Sequence, residues 1–221
     1  MRKRSIPKLL AFFVLCYVLY VGVVLSAVPK YLVFMQAITT NEKPPSTSGD
    51  WLFYPIPRWL YWAHWEFNRF QECNYLFEGN KDSYLTFLSY ALLSNRPDET
   101  YPELDAARAE KILRQLLKQG CSINEPMSDT GWLPIHFAVV FANQNPEMAL
   151  FIAEHSVDWE RSLPDTDPIS PGKSAHGLLE EFLEKRPKDE SRLKLQAIYK
   201  RITSASNPLA SRAATPQSGA L

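Results

Sequence analysis

The sequence predicts an all-α protein: a single N-terminal transmembrane helix, then a stack of about three helix pairs with an aromatic N-terminal cap. Three observations support this prediction. Residues Leu9–Val28 form a run of 20 residues without a charge. Between 83 and 203, apolar residues recur at the i, i+3, i+4 spacing of amphipathic helices. No segment shows the sustained alternation of apolar and polar residues that is typical of a half-buried strand.

The uncharged run Leu9–Val28 is long enough to be an uncleaved membrane anchor. A helix of that length spans roughly 30 Å at about 1.5 Å per residue, which matches the hydrocarbon core of a bilayer. The alternative is a cleaved signal peptide, whose apolar region is about 7–15 residues long. This run is longer, and a cut after Ala27 would place bulky Leu25 where a small residue is favoured. The predicted anchor residues are Leu9, Phe12, Leu19 and Val28.

Basic residues flank mainly one end of this anchor. Four of them precede it, namely Arg2, Lys3, Arg4 and Lys8. Only Lys30 and Lys43 follow it closely. Because cytoplasmic flanks carry an excess of Lys and Arg, the N-terminus is predicted to be cytoplasmic. The chain after residue 35 would then lie on the other side of the membrane. In a Gram-negative bacterium this membrane would be the inner membrane, and that side would be the periplasm.

This orientation bears on two of the three cysteines. Cys16 lies within the anchor, whereas Cys73 and Cys121 would meet an oxidising compartment and could pair in a disulfide. The alternative is a pair of buried free thiols. We favour the free thiols, because the sequence gives no distance between the two residues.

Composition divides the chain into five segments. Residues 1–35 are the basic tip and anchor, and residues 36–50, which are polar and contain Pro44-Pro45, are predicted to be a linker. Residues 51–82 are predicted to form the aromatic helical cap, and residues 83–203 the domain of helix pairs. Residues 204–221 are small and polar, so we expect them to be disordered.

The aromatic segment 51–77 contains four of the six tryptophans. Pro57 can occupy the first turn of a helix that begins at Arg58. The predicted apolar stripe of that helix comprises Trp59, Trp62, Ala63, Phe67 and Phe70. Two interpretations stay open: the rings cap the helix stack, or they lie at the membrane–water interface, where Trp and Tyr are enriched. We favour the cap, because a soluble domain rarely exposes so many apolar rings.

The region 83–203 contains several predicted helices. They lie at Tyr84–Leu93, around the stripe Ala109, Ile112, Leu113, Leu116 and Leu117, and at Leu193–Ile202. Gly120 stands where a helix that ends in a left-handed residue favours glycine. We therefore expect the helix of the apolar stripe to end at this glycine.

Residues 129–138 (DTGWLPIHFA) resemble the opening of an ankyrin repeat, a turn followed by T-P-L-H-x-A. Leu133–Ala138 fill the places of that motif, with Leu instead of Thr. Glu154–Glu160 (EHSVDWE) resemble the closing segment of the repeat, and Lys118–Asn124 are a similar closing segment one repeat earlier. A weaker third copy opens at 172–175. The chain thus resembles a short, degenerate ankyrin-repeat protein of the bacterial type.

This resemblance implies where a partner would bind, because ankyrin stacks bind proteins through turn tips and the groove of their first helices. The implied contacts are Asp129, Thr130, Trp132 and the loop Asp165–Lys173, with Asp165, Asp167 and Lys173 as its named residues. Since an aromatic ring at a turn tip is a strong binding anchor, Trp132 is expected to be exposed. His136 fills the place of the ankyrin His that hydrogen-bonds neighbouring turns. Trp159 is expected to pack within its own turn.

No motif in the sequence indicates catalysis. The G-x-S-x-G, P-loop, G-x-G-x-x-G and H-E-x-x-H patterns are absent, and no histidine is paired with a second His or Cys at metal-ligand spacing. Glu180, Glu181 and Glu184 lie beside Lys185 and Arg186, as on a solvated helix face. Lys+Arg and Asp+Glu each total 24, so we expect no nucleic-acid partner. We also expect no enzyme activity, catalytic residue, metal, cofactor or small-molecule substrate.

Two hypotheses for function follow from the resemblance. The first is an immunity-type protein that binds and neutralises a secreted toxin on the periplasmic side, because small membrane-anchored proteins with degenerate repeats resemble such inhibitors. The second is a scaffold or assembly factor for a periplasmic or envelope protein complex. A third hypothesis gives the aromatic segment 51–77 a role at the lipid surface.

Overall fold

The computed structural model describes residues 5–27, 30–39, 56–68, 72–77, 79–94 and 104–206, and within them the protein is mostly helical. Its elements in chain order are α1 (Ser5–Ala27), α2 (Lys30–Ile38), α3 (Arg58–Asn68), β1 (Asn74–Phe77), β2 (Asn80–Ser83), α4 (Tyr84–Ser94), α5 (Ala106–Lys118), α6 (Pro134–Val140), α7 (Pro146–His155), α8 (Ala175–Lys185) and α9 (Glu190–Ser206). The predicted linker beyond residue 39 and the predicted disordered tail beyond residue 206 lie outside the described residues.

Helix α1 is, among the described residues, the one helix long and apolar enough to cross a membrane. Its apolar window Leu10–Ala27 is only 6% buried. Every residue from Leu10 to Leu19 is exposed, Phe12 and Leu19 among them, which suits a lipid environment better than water. Of the other predicted anchor residues, the side chain of Leu9 and the whole of Val28 lie outside the described part.

Helix α2 belongs to the folded domain. Its residues Val33, Phe34, Ala37 and Ile38 are fully buried. The N–H of Asp105 donates to the carbonyl of Ile38 at 2.6 Å, and Thr39 forms an antiparallel bridge with Leu104. Helix α2 thus continues across the predicted boundary between anchor and linker at residue 36. The apolar face of α2 is short, and its burial depends on partners that lie far along the chain.

Helix α3 buries a different face from the one predicted. Tyr61 and Trp65 are buried, whereas Trp59, the first residue of the predicted stripe, is 58% exposed. Phe34 of α2 explains the choice, because its ring lies 5.1 Å from Trp65 and 4.7 Å from Tyr84 of α4. The side chain of Phe67 and the whole of Phe70 lie outside the described residues.

A short β-hairpin interrupts the helices. Strands β1 and β2 pair antiparallel, with Asn74 opposite Ser83 and Phe77 opposite Asn80, and Gly79 in the turn has a φ of +85°. The sequence predicted no strand in the aromatic helical cap 51–82, so this hairpin departs from the all-α prediction. Strand β2 (NKDS) contains no apolar residue, so it shows no alternation of apolar and polar residues.

Three helix pairs pack side by side after the hairpin. α4 packs against α5, α6 against α7, and α8 against α9, while α4, α6 and α8 contact one another in succession. The predicted stripe of α5 is buried at Ala109, Ile112, Leu113 and Leu116, and Leu117 is half-buried. Gly120 has a φ of +91° just after α5, as predicted.

The buried guanidinium of Arg192 joins the second pair to the third. Its Nε donates to the carbonyl of Val139 (3.1 Å) and its Nη2 to that of Val140 (2.8 Å), at the end of α6. A helix leaves its last carbonyls without intrahelical partners, so a cation there satisfies them and also favours the helix dipole. Asp189 forms an ion pair with the same guanidinium, which leaves the buried charge paired.

A disulfide joins Cys73, just before β1, to Cys121, just after α5. Their Cα atoms lie 5.3 Å apart, within the usual range for a disulfide. The pair of free thiols that the sequence favoured is not what the structure contains. The bond fixes the hairpin to the first helix pair.

Loss of this disulfide should lower the free energy of unfolding by about 2–5 kcal/mol, because the bond constrains a long loop of the unfolded chain. Cys73→Ser and Cys121→Ser should lose equal stability, and the double variant should lose no more than either alone. Thermal unfolding of the full chain in detergent micelles, with and without dithiothreitol, checks this. Cys16→Ser is the control and should respond to the reductant as the wild type does. A wild-type Tm that is insensitive to the reductant would contradict the prediction.

Candidate functional site

Three turns lie side by side along one edge of the helix stack. We name them together the turn edge: the β1–β2 hairpin (Asn74–Ser83), the turn 124–132 and the loop 156–174. The N–H of Ser128 donates to Asp82 Oδ1 at 2.8 Å, which joins the turn 124–132 to the hairpin. The N–H of Val157 donates to Asn124 Oδ1 at 3.1 Å, which joins the loop to the same turn. The turn edge is therefore one connected surface.

Gly131 allows the turn 124–132 to contact the loop 156–174 closely. Its φ is +74°, and its N–H donates to the carbonyl of Met127 at 2.8 Å. A Cβ atom at this position would lie 2.9 Å from Cδ of Pro164. Only glycine suits both the positive φ and the close approach.

Trp132 and Asp167 form the centre of the turn edge. Trp132 Nε1 donates to Asp167 Oδ2 at 2.6 Å, and both side chains are buried. The indole also stacks on Phe137, with 5.1 Å between ring centroids. The prediction that Trp132 is exposed is therefore wrong. A Trp that follows a turn can fold back over the next helix and donate its N–H inward.

The second oxygen of Asp167 orders the loop itself. Asp167 Oδ1 accepts the N–H groups of Ile169 (2.9 Å) and Ser170 (2.6 Å). Burial raises the pKa of this carboxyl, but the hydrogen bonds from Trp132, Ser170 and Ile169 outweigh that effect and hold the pKa below its usual value. Asp167 is thus an internal support of the loop, and the sequence-based assignment of Asp167 as a contact residue does not fit its burial.

His136 holds the same two turns together from below. Leu133 N–H donates to His136 Nδ1 at 3.1 Å, and His136 Nε2 lies 3.2 Å from the carbonyl of Arg161. A ring that accepts at Nδ1 must donate from Nε2 to the carbonyl, so the geometry fits the neutral Nε2–H tautomer. Burial lowers the pKa of His136 to about 4, which keeps the ring neutral at physiological pH. These bonds match the role expected from the ankyrin motif.

The remaining predicted contact residues differ in exposure. Asp129 and Asp165 are exposed, whereas Thr130 is half-buried and its Oγ1 accepts the N–H of Trp132. Lys173 is half-buried and forms an ion pair with Glu181 of α8. The two aspartates are therefore presented to solvent, and 43% of the Lys173 side chain is exposed as well.

Three large apolar side chains of the turn edge are exposed, one of which, Leu76 of β1, is 69% exposed. None of them was named individually from the sequence, although Ile169 lies within the predicted contact loop Asp165–Lys173. Ile169 is 74% exposed and Val157 is 73% exposed. In the sequence, Ile169 is recognisable as an isolated apolar residue between the polar turn residues of the segment DPISP. Trp159, in contrast, is buried as expected, and its Nε1 donates to the carbonyl of Ser156.

A second polar cluster lies between α8 and α9. His176 stacks on Tyr199 at 4.0 Å between ring centroids, and its two nitrogens lie 3.2 Å from Glu160 and 3.3 Å from Glu180. The Tyr199 hydroxyl donates to Glu160, which raises the pKa of Tyr199 to about 12. Within the described residues, no group of His, Cys, Asp and Glu is arranged to hold a metal ion. The cluster joins two helices by charge and stacking.

Asp167→Ala should lower the free energy of unfolding by about 2–3 kcal/mol, because it leaves buried N–H groups without an acceptor. Asp165→Ala, at an exposed position in the same loop, is the matched control and should change stability by less than about 0.5 kcal/mol. Urea unfolding measures both variants. Amide hydrogen exchange of Ile169 and Ser170 should become faster only in Asp167→Ala, and unchanged exchange there would contradict the assignment.

Stability should also fall as the pH is lowered from 6.5 towards about 4, because His136 takes up a proton more readily in the unfolded chain than in the folded one. The loss should reach about 3 kcal/mol at the lower end. Urea unfolding at a series of pH values measures it. His136→Asn should remove the part of the pH dependence of stability that comes from this ring. His155→Asn, at an exposed position, should leave that pH dependence unchanged. Identical pH profiles for wild type and His136→Asn would refute the role of this ring.

Comparison with known proteins leaves the family of this chain open. No protein-family model, no curated protein and no solved structure matches it. The ankyrin resemblance accordingly rests on the residues of the chain itself, chiefly those at 129–138.

Proposed function

We propose that this chain is a membrane-tethered protein-binding module whose contact surface is the turn edge. The observation that carries the proposal is the loop 156–174. It presents the exposed side chain of Ile169 on a backbone that Asp167 already holds in place. A loop ordered before binding loses little conformational entropy on binding, so its contacts contribute fully to affinity.

The exposed residues of the turn edge indicate the chemistry of the partner. Ile169 and Val157 offer apolar contacts, and Asp129 and Asp165 add negative charge beside them. This mixture suits a protein surface with an apolar depression and a basic rim, because apolar burial supplies affinity and charge complementarity speeds and orients association.

For the topology, we propose that the N-terminus is cytoplasmic and the helix stack lies in the periplasm. The excess of basic residues before α1 supports this orientation. The Cys73–Cys121 disulfide supports it independently, because such bonds persist in oxidising compartments.

As the partner we propose a protein toxin that reaches the periplasmic side of the inner membrane, so that the chain acts as an immunity-type protein. An inhibitor held by α1 would stay at the membrane, where its high local concentration would favour binding to an incoming toxin. The alternative is a scaffold for a periplasmic or envelope complex, which would use the same surface with a resident protein.

Affinity capture of the full-length chain from detergent-solubilised host membranes tests the contact surface. The wild type should recover a stoichiometric protein partner, and Ile169→Asp should reduce its recovery at least about tenfold, which corresponds to about 1.4 kcal/mol. Leu193→Asp is the matched control, because Leu193 is also an exposed apolar residue but lies on α9, away from the turn edge. Equal recovery by wild type and Ile169→Asp would refute the turn edge as the contact surface.

Deletion of the gene distinguishes the two kinds of partner. If the chain is an immunity protein, deletion should be lethal only while a gene for an active toxin is intact, and removal of that toxin gene should restore growth. If deletion is tolerated in the presence of an active captured toxin, the immunity hypothesis is wrong. Capture of a resident envelope enzyme or complex would instead favour the scaffold.

A further inference from the structure

Helix α1 is covered on one side, but only near its C-terminal end. From Leu10 to Leu19 every residue is exposed, whereas Val21 and Val24 are buried and Tyr20 is half-buried. Val21 and Val24 belong to the same cluster of buried side chains as the residues of α2 and α3. The folded domain therefore extends alongside the last turns of the helix that is long enough to cross a membrane.

The anchor is not long enough for this covered part to lie outside the bilayer. The exposed stretch Leu10–Leu19 rises about 15 Å, which is half of the roughly 30 Å hydrocarbon core. The whole uncharged run Leu9–Val28 is needed to span that distance. If α1 crosses the membrane, Val21 and Val24 lie at hydrocarbon depth, and so do the side chains that cover them.

The depth of Val21 and Val24 places helix α3 against the lipid. Tyr61 of α3 is fully buried in the same cluster of side chains as Val21 and Val24 of α1. Helix α3 packs against α2, which begins at Lys30, just after α1 ends at Ala27. Between Val21 and Ala27, α1 rises about 9 Å, so the covered part of α1 begins well below the end of the apolar window. An interfacial helix lies at a similar depth, about 5–10 Å into the boundary between headgroups and acyl chains.

The outer and inner faces of α3 differ, as expected of a helix at the membrane–water interface. Trp59 is 58% exposed and lies on the side opposite Tyr61 and Trp65. On another side, Lys111 of α5 lies 4.8 Å from the Trp62 ring centroid and forms an ion pair with Glu66. Contact with the helix stack and contact with lipid therefore use different faces of the same helix.

A solvent-exposed ion pair indicates where the membrane boundary meets water. Lys30, at the start of α2, pairs with Glu72, and about half of each side chain is exposed. Because the chain leaves the apolar window only a few residues before Lys30, this pair belongs at the headgroup level. An exposed ion pair just beyond the end of α1 is expected where a helix leaves the bilayer.

We propose that α3 lies in the membrane–water interface at the end where α1 leaves the bilayer, with Trp59 inserted among the lipids as a second membrane contact. Indole rings favour this boundary because their apolar body enters the hydrocarbon while the N–H group stays near polar headgroups. The occupant of the exposed face of α3 is thus the lipid bilayer. The proposal needs α1 to span the membrane, but it does not depend on the partner of the turn edge.

Spin labelling of the full-length chain tests the proposal. Cysteine is introduced by Trp59→Cys in a Cys16→Ser background, with the native disulfide intact, and the labelled chain is reconstituted into phosphatidylcholine–phosphatidylglycerol vesicles. Collision rates of the label with oxygen, which dissolves in lipid, and with a water-soluble nickel chelate are compared. The control label replaces Leu193, an exposed apolar residue of α9. The oxygen-to-nickel ratio should be about tenfold higher at position 59 than at position 193, because the chelate is excluded from the acyl region.

Two outcomes would overturn the proposal. A label at position 59 that meets nickel as readily as the label at 193 would place α3 in water. A label protected from both reagents would mean that protein, rather than lipid, covers this face.

A second measurement avoids any dependence on the cysteine variant. Brominated lipids should quench the tryptophan fluorescence of the wild-type chain measurably more than that of Trp59→Phe, because the replaced ring is the one in contact with lipid. Equal fractional quenching of the two proteins would overturn the proposal as well.

Discussion

The packing of Phe34 against Trp65 and Tyr84 determines how the other parts of this molecule are placed. It holds α2 between the aromatic helix α3 and the start of the first helix pair. Only residues 28 and 29 separate α2 from α1, so the helix that is long enough to cross a membrane is followed almost directly by residues of the hydrophobic core. Removal of the chain up to residue 50 would therefore remove α2 and with it part of the core.

The turn edge depends on a different set of contacts, which are polar and buried. Asp167 accepts hydrogen bonds from Trp132, Ile169 and Ser170, and His136 connects the turn 124–132 to the carbonyl of Arg161. Buried polar networks of this kind stabilise one conformation strongly, because any alternative leaves groups unpaired. The outer surface can then vary in sequence while the loop backbone stays fixed.

Local patterns predicted the elements whose form depends on neighbouring residues in the chain. The apolar stripe of α5 and the left-handed Gly120 follow from helical periodicity and from the preference of glycine for positive φ, and both are present. The buried face of α3 could not be predicted in this way. That helix is apolar on several sides, and the choice of Tyr61 and Trp65 depends on the distant residue Phe34.

The same division applies to the turn edge. The motif at 129–138 gave the position of the turn and the local hydrogen bond between Leu133 and His136, because both are set within a few residues. It could not reveal that Trp132 faces inward, since its partner Asp167 lies in another turn. The exposure of Ile169 accompanies that inward pairing, and the sequence indicated it only as an apolar residue among the polar residues of a predicted contact loop.

The disulfide also bears on the order of assembly under the proposed topology. With the N-terminus held in the cytoplasm, the residues that follow α1 would cross the membrane first, so Cys73 and Cys121 would both emerge before the second and third helix pairs. The bond could then close the hairpin, α4 and α5 into one loop beside the membrane while the rest of the chain is still unfolded. Each later helix pair would be added to a template that is already covalently fixed, so assembly would proceed outward from the bilayer in one direction.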